Sequence, residues 1–224
     1  ADMSSSYGMK PQFDVKEDPV FSNIKLIAKK ANEYGKIAGI HNGTTKYAKE
    51  MIGLGFSSSA IDLCDTFYKS DRLSFLQGSS EDMPFDDNTF DIVISSSCFE
   101  HADMFWVTFL EILRILKPNG LFYLNTPSNG DFHYYPIDSW RFYPHAGTSL
   151  SKWGNRNGYN TTLLESFISY QNNDIWNDFV AIFLKDKNYQ HEYKHRIIHK
   201  HNHFFNGIVG NSDKIQNPLS FTED

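Results

Sequence analysis

The stretch FDIVISSSCFEHADMFWVTFLEILRILKPNGLFYLNT, residues 90–126, constrains the fold more than any other. FDIVISS is a short run rich in β-branched residues, of the kind buried on both faces of a parallel sheet. After it, Phe105, Phe109, Ile112, Leu113 and Leu116 recur at helical spacing and form one apolar face. Asp103 is placed to cap that helix, and Pro118 and Gly120 to stop it. LFYLNT is a second buried-type strand. A strand, a helix and a strand joined by short connections form a βαβ unit, whose crossover is expected to be right-handed.

The flanking segments extend the same architecture. DPVFSNIKLIAKKANEYGK reads as a helix with Ile24, Ile27, Ala28 and Ala31 on one side, closed by Gly35. KIAGI is a strand, TTKYAKEMIGLG a helix and SSSAIDL another strand. Beyond Pro144, TSLSKWGNRNG reads as a helix, and YNTTLLESFIS and NDFVAIFLKD as an antiparallel pair about the turn QNND. The expected fold is α/β, a doubly wound Rossmann-like sheet, mostly parallel, with an antiparallel C-terminal hairpin. Residues 1–58, 59–185 and 186–224 form an N-terminal segment, a central domain and a polar, His-rich tail, read as an appended helix or loose extension.

Composition removes several function classes. A net charge of -6 disfavours general nucleic-acid binding, which needs a basic face to displace counterions from phosphates. No apolar run approaches the roughly 20 residues that span a bilayer, and the first residues lack the order of a signal peptide. The expected location is therefore the cytoplasm. Cys64 and Cys98 are too few for a disulfide framework and lack metal-site spacing, so a reducing compartment is expected; no metal site is expected either. An aromatic content of 16% points to ring-lined surfaces as well as a core.

Doubly wound sheets bind ligands outside the carboxyl ends of their strands, so the residues after each strand carry the functional reading. Asp62 follows SSSAI, where a carboxylate can accept hydrogen bonds from both hydroxyls of a ribose. Ser80, Glu81 and Asp82 precede Pro84 and Phe85, where polar groups can read an adenine edge. Ser95, Ser96 and Ser97 end FDIVISSS and let a ligand lie against the backbone.

GSSEDMPFDDNTFDIVISSSCFEH followed by EILRILKPNGLFYLNTPS resembles the second half of a class I S-adenosylmethionine-dependent methyltransferase, over roughly residues 60 to 184. The acidic loop before PF, the FD strand start, the EH after the strand and the LKPNG turn stand in that family's order. SNGDFHYYPIDSWRFYPHAG resembles a subgroup with an enlarged aromatic loop. The resemblance implies a seven-stranded sheet with its last strand antiparallel and methyl transfer from a sulfonium cofactor. It also implies that Asp62 contacts the ribose and the Glu81 loop, with Ser80, the adenine; Ser96 joins them beside the cofactor. His101 and His133 are the candidate general bases for an oxygen or nitrogen nucleophile. The expected partner is a small-molecule or sugar-like acceptor under the aromatic loop, with neither nucleic acid nor membrane.

Two departures stand out. Ser79 replaces the acidic residue that the family places after the glycine matching Gly78, and the acidic-GxGxG loop after the first strand is absent. IAGIHNGTTKYAKEMIGLGF stands in its place. With ADMSSSYGM and the DPVF helix start, it resembles the C-terminal end of a class II pyruvate-type aldolase. In that family the aspartate matching Asp2 helps hold a divalent metal, and one aspartate does not make a site. Gly39 and Gly43 nevertheless permit a tight turn into a helix, and Asp62 lies 19 residues beyond Gly43. A helix N-terminus there favours a carboxylate such as that of the cofactor's methionine part. The competing expectations are an inactive methyltransferase-like binding module and a fragment of a larger aldolase-methyltransferase polypeptide. His191, His195 and His199 recur every four residues amid Lys187, Lys194, Arg196 and Lys200, and read as a solvated basic face.

Overall fold

The computed structural model describes residues 37–41, 58–61, 74–76, 79–133, 137–171, 175–200, 202–210 and 212–219, the first three segments by their backbone. Within them the chain runs β1 (Ile37–His41), β2 (Ser58–Ile61), β3 (Ser74–Leu76), β4 (Phe90–Ser96), α1 (Phe105–Ile115) and β5 (Leu116–Pro127). It continues through α2 (His145–Arg156), β6 (Thr162–Ser169), β7 (Asp178–Leu184) and β8 (Phe204–Val209). One eight-stranded sheet results, in the order β3-β2-β1-β4-β5-β7-β6-β8. Neighbours from β3 to β5 pair in parallel, whereas β7 is antiparallel to β5 and β6, and β8 is antiparallel to β6.

Alternation along the strands divides the core into two faces. Val93, Phe122, Leu124, Ala181 and Phe183 face α1 and α2, meeting Phe109, Ile112, Leu113 and Leu150. Ile92, Ile94, Tyr123, Leu164 and Ile182 face the other way, onto Ile197, Ile198 and Phe204. The α1 stripe read from sequence is the buried one: Phe109, Ile112, Leu113 and Leu116 are wholly inaccessible to solvent. Gly154 lets α2 approach α1, because a Cβ there would stand 2.7 Å from Thr161 and 2.9 Å from Leu113.

Three local expectations are corrected. Met104, not Asp103, occupies the N-cap of α1, and no side chain caps it. The helix ends at Ile115, before Pro118, because Leu116 already has extended geometry and pairs with Phe90 of β4. Residues 186–219 are neither an appended helix nor a loose extension. A 3-10 turn, Lys187–Glu192, is followed by β8, which adds an edge strand to β6 instead of leaving seven strands. The driving force is apolar: Ile197, Ile198, Phe204 and Ile208 are at most 6% exposed among polar neighbours. His195 and His199 lie outside any helix, so the four-residue histidine spacing makes no common face.

Candidate functional site

The strand order reverses between β1 and β4. β1 leads outward to β2 and β3, β4 leads the other way to β5, and His41 at the end of β1 is level with Ser96. That is the crevice in which open α/β sheets receive ligands. Ser95 is fully buried there, and its hydroxyl has no hydrogen-bond partner among the described residues. Ser96 Oγ donates to Asn125 Oδ1 at 3.4 Å, and Asn125 Nδ2 donates to Asp178 Oδ2 at 3.2 Å. A polar row thus crosses the ends of β4, β5 and β7. Ser97 holds a positive φ of 49° and turns the chain sharply off the sheet.

The turn that follows, Phe99–His101, carries the densest chemistry. Glu100 is 1% exposed. Thr126 Oγ1, at the end of β5, donates to Glu100 Oε2 at 2.6 Å. The backbone carbonyl of Glu100 accepts the N–H groups of Ser139 and Trp140 at 2.8 and 3.3 Å. His101 Nδ1 meets the carbonyl of Ile137, and Trp140 Nε1 donates to the carbonyl of Ala102 at 2.9 Å. The long loop after β5 is thereby fastened onto the turn after β4.

A second knot lies inside that loop. Arg141 forks onto Asp138 at 2.6 and 2.8 Å and donates to the carbonyl of Asp131 at 3.0 Å. Asp138 Oδ2 accepts the backbone N–H of His133 at 2.8 Å and lies 3.2 Å from His133 Nδ1. The His133 ring meets His101 and Trp176 edge-on, at centroid distances of 5.0 and 5.1 Å. Gly130 has φ +99°, and a Cβ on it would lie 2.0 Å from the Trp176 ring. Glycine is required there both for conformation and for space.

The two carboxylates are tuned in opposite directions. Burial pushes Glu100 above the ordinary carboxylate range, against the Thr126 hydrogen bond and the nearby histidines. Burial pushes Asp138 the same way, but Arg141 and the His133 N–H outweigh it and hold Asp138 down at about 2. Asp138 is therefore a fixed anion, locked to a fixed cation.

His101 and His133, separate in sequence, come together as neighbouring rings. Ser80 Oγ shares a 3.1 Å hydrogen bond with Thr108 of α1, and the backbone N–H of Glu81 donates to Ser79 Oγ at 3.2 Å. Gly39 lies within β1, level with Ile94. Gly43 and Asp62 lie outside the described residues, although β2 ends at Ile61, immediately before Asp62. The aromatic loop divides between two roles. Phe142 is core, whereas Phe132 and Tyr143 are 72% and 67% exposed, and Tyr134 and Tyr135 lie outside the described residues. Glu100, Thr126, Asp138 and Arg141 were not singled out from sequence. The available signals were EH directly after a buried strand and the i, i+3 acid-base pair in PIDSWR.

On the other face, a hollow of about 100 Å³ between the sheet and residues 193–200 is lined mainly by Ile92, Leu121, Leu164 and Ile182. Glu165 at its wall accepts the backbone N–H groups of Ile197 and Ile198 at 2.9 and 3.0 Å, a structural tie.

Residues 36–124 match the profile of the methyltransferase domain family. A phthiotriol/phenolphthiotriol dimycocerosates methyltransferase of Mycobacterium tuberculosis is 32% identical over 91 residues, covering 37% of this chain and 33% of that protein. A fatty-acid O-methyltransferase of Mycolicibacterium smegmatis is 34% identical over 70 residues, covering 31% of this chain and 26% of that protein. The chain thus spans about a third of the length of the curated relatives it matches. Among solved structures, the 1,6-didemethyltoxoflavin-N1-methyltransferase of Burkholderia thailandensis, which holds S-adenosylhomocysteine, superposes with a TM-score of 0.57. It is 13% identical, with 73% of this chain and 77% of that chain covered. The chain therefore has the α/β fold of the class I methyltransferases, and its residues 36–124 match their methyltransferase domain family.

Proposed function

We propose that the chain transfers a methyl group from S-adenosylmethionine to a small-molecule or sugar-like acceptor. The observation that carries this reading is the reversal between β1 and β4, set in a five-strand parallel order followed by an antiparallel β7. The residues at that crevice fit the cofactor. A buried serine hydroxyl without a partner among the described residues, Ser95, stands beside small, polar Ser96 and Ser97. Gly39 lies in the strand that leads to the cofactor turn and not in the turn expected from sequence. Gly43 is assigned to the turn after β1, Asp62 to the ribose, and Ser80 and Glu81 to the adenine end, with Ser96 at the crevice floor. The N-terminal aldolase-like segment supplies the first βαβ unit in this reading. Its strand β1 pairs with both β2 and β4, and the family match begins at residue 36.

The bound cofactor would supply an activated methyl group on a sulfonium. The chain's part is alignment, because holding nucleophile and methyl carbon in line supplies much of the rate. The loop fastened by Glu100, Trp140 and Asp138 forms the acceptor wall, and His101 and His133 present imidazole to the acceptor's proton. His101 Nδ1 faces the carbonyl of Ile137, which leaves Nε2, beside Glu100 Oε1, as its basic nitrogen; His133 Nδ1 lies among the Asp131 carbonyl, the Asp138 carboxylate and the Arg141 guanidinium.

Thermal-shift and calorimetric titration of the full chain with S-adenosylmethionine and S-adenosylhomocysteine tests the reading. Saturable stabilisation by both is expected. Absence of a response to either ligand would replace it with the inactive binding module.

A further inference from the structure

We infer that Glu100, His101 and His133 form a binding site for one divalent transition-metal ion, of the zinc or cobalt type. One ligand atom from each of the three side chains lies within 4.8 Å of the other two. The hydrogen bonds around the site dictate where protons sit. The carbonyl of Ile137 only accepts, so His101 Nδ1 must carry the hydrogen, and its Nε2 bears a lone pair. That Nε2 faces Glu100 Oε1 at 3.7 Å, with the two side chains 7% and 2% exposed. Two acceptors facing each other out of water need a cation or a proton between them.

His133 repeats the pattern. Its Nδ1 lies 3.2 Å from the Asp138 carboxylate, which Arg141 holds ionised and in place. Metal-binding histidines commonly donate their second ring N–H to a carboxylate or a backbone carbonyl. Here the carbonyl of Ile137 takes that place for His101 and the carbonyl of Asp131, 3.3 Å from His133 Nδ1, for His133, with Arg141 Nη2 3.4 Å from the same nitrogen. Thr126 orients the Glu100 carboxylate through its other oxygen. Ligands about 2.0–2.1 Å from a tetrahedral ion stand roughly 3.3–3.4 Å apart. The 3.7 Å between Glu100 and His101 is close to that value, and His133, whose side chain is 37% exposed, brings a ligand atom within 4.8 Å of both. Two imidazoles and one carboxylate suit a first-row transition ion over magnesium and leave a coordination position open.

Ion binding does not require the proposed methyl transfer, but it replaces the base role given there to His101 and His133. What rests on that reading is the occupant of the open position, an oxygen of the acceptor. The two roles of the histidines exclude each other, since an Nε2 that ligates an ion is not a base.

The test uses the full chain, stripped with a chelator and titrated with Zn²⁺ by calorimetry and with Co²⁺ by visible absorption. One ion per chain and ligand-field bands shaped by nitrogen ligation are expected. His133→Ala, at a half-exposed ring, should weaken binding at least about 10-fold, and Asp138→Asn about 10–100-fold through the ring it orients. His191→Ala and His195→Ala should leave it unchanged. The same titration after His101→Ala provides a second reading of the site. No saturable binding, or binding unaffected by His133→Ala, would overturn the inference and leave a proton between Glu100 and His101. S-adenosylmethionine affinity, measured separately, reports on the methyltransferase reading alone.

Discussion

Asp138 shows how much one side chain organises. Its carboxylate is 1% exposed, and it fixes Arg141, the His133 backbone and the His133 ring at once. Asp138→Asn leaves Arg141 without its counter-ion, and the expected loss is about 3 kcal/mol in chemical denaturation. Glu111 makes a prediction in pH. The Arg114 hydrogen bond, opposed by burial and joined by the Met83 N–H, holds its carboxyl below the ordinary 4.5. Between those two values the unfolded chain binds more protons, so stability is full above 4.5 and falls as the pH drops through the lowered native value. Glu111→Gln should flatten that acid limb of the denaturation profile. Glu165 has the opposite sign. Burial raises it, against the Ile197 and Ile198 N–H groups, so its contribution is fullest below 4.5 and declines as the pH rises through the raised native value. Gly130→Ala forces both the backbone and Trp176 to move. It should lower the melting temperature, and the change in tryptophan fluorescence would locate the disturbance.

Elements explain what could be read beforehand and what could not. β4, α1 and β5 were legible because one period dominates each: a continuous apolar run, a three-and-four stripe, then another run. α2 was legible from the Pro144 start, and β6 and β7 from their polar turn. β3, Ser74–Leu76, is too short to show a pattern, and β8 hides because its apolar residues are spaced among histidines, lysines and asparagines. The candidate site was half legible. His101 and His133 are conspicuous residue types, but Glu100 acts through burial, and Asp138 through a loop path that no periodicity encodes. The contact between α1 and α2 supplies a test of packing. Gly154→Ala gains about 1 kcal/mol of helix propensity, yet its methyl would strike Thr161 and Leu113. A net loss of about 1–2 kcal/mol is expected in urea denaturation.

At the scale of the whole molecule, the sheet divides its labour. The parallel half creates the crevice and carries the tied loop after β5, and the antiparallel half supplies most of the second apolar face. Phe204 belongs to that second face, where it packs on Phe167 at a ring distance of 5.6 Å. Phe204→Ala should cost about 3–5 kcal/mol, and deletion from residue 187 onward should cost more, because it uncovers Leu164, Phe167 and Ile182 together. The edge beyond β8 has a further consequence. Gly207 and Gln216 exchange N–H and carbonyl groups, Asn206 donates to the carbonyl of Asn217 at 2.9 Å, and Pro218 follows. The backbone groups with which β8 would recruit a strand from another molecule are thus partly occupied by the chain's own next turn. The turn through 212–218 leaves β8 a poorer template for a further strand than a bare edge would be.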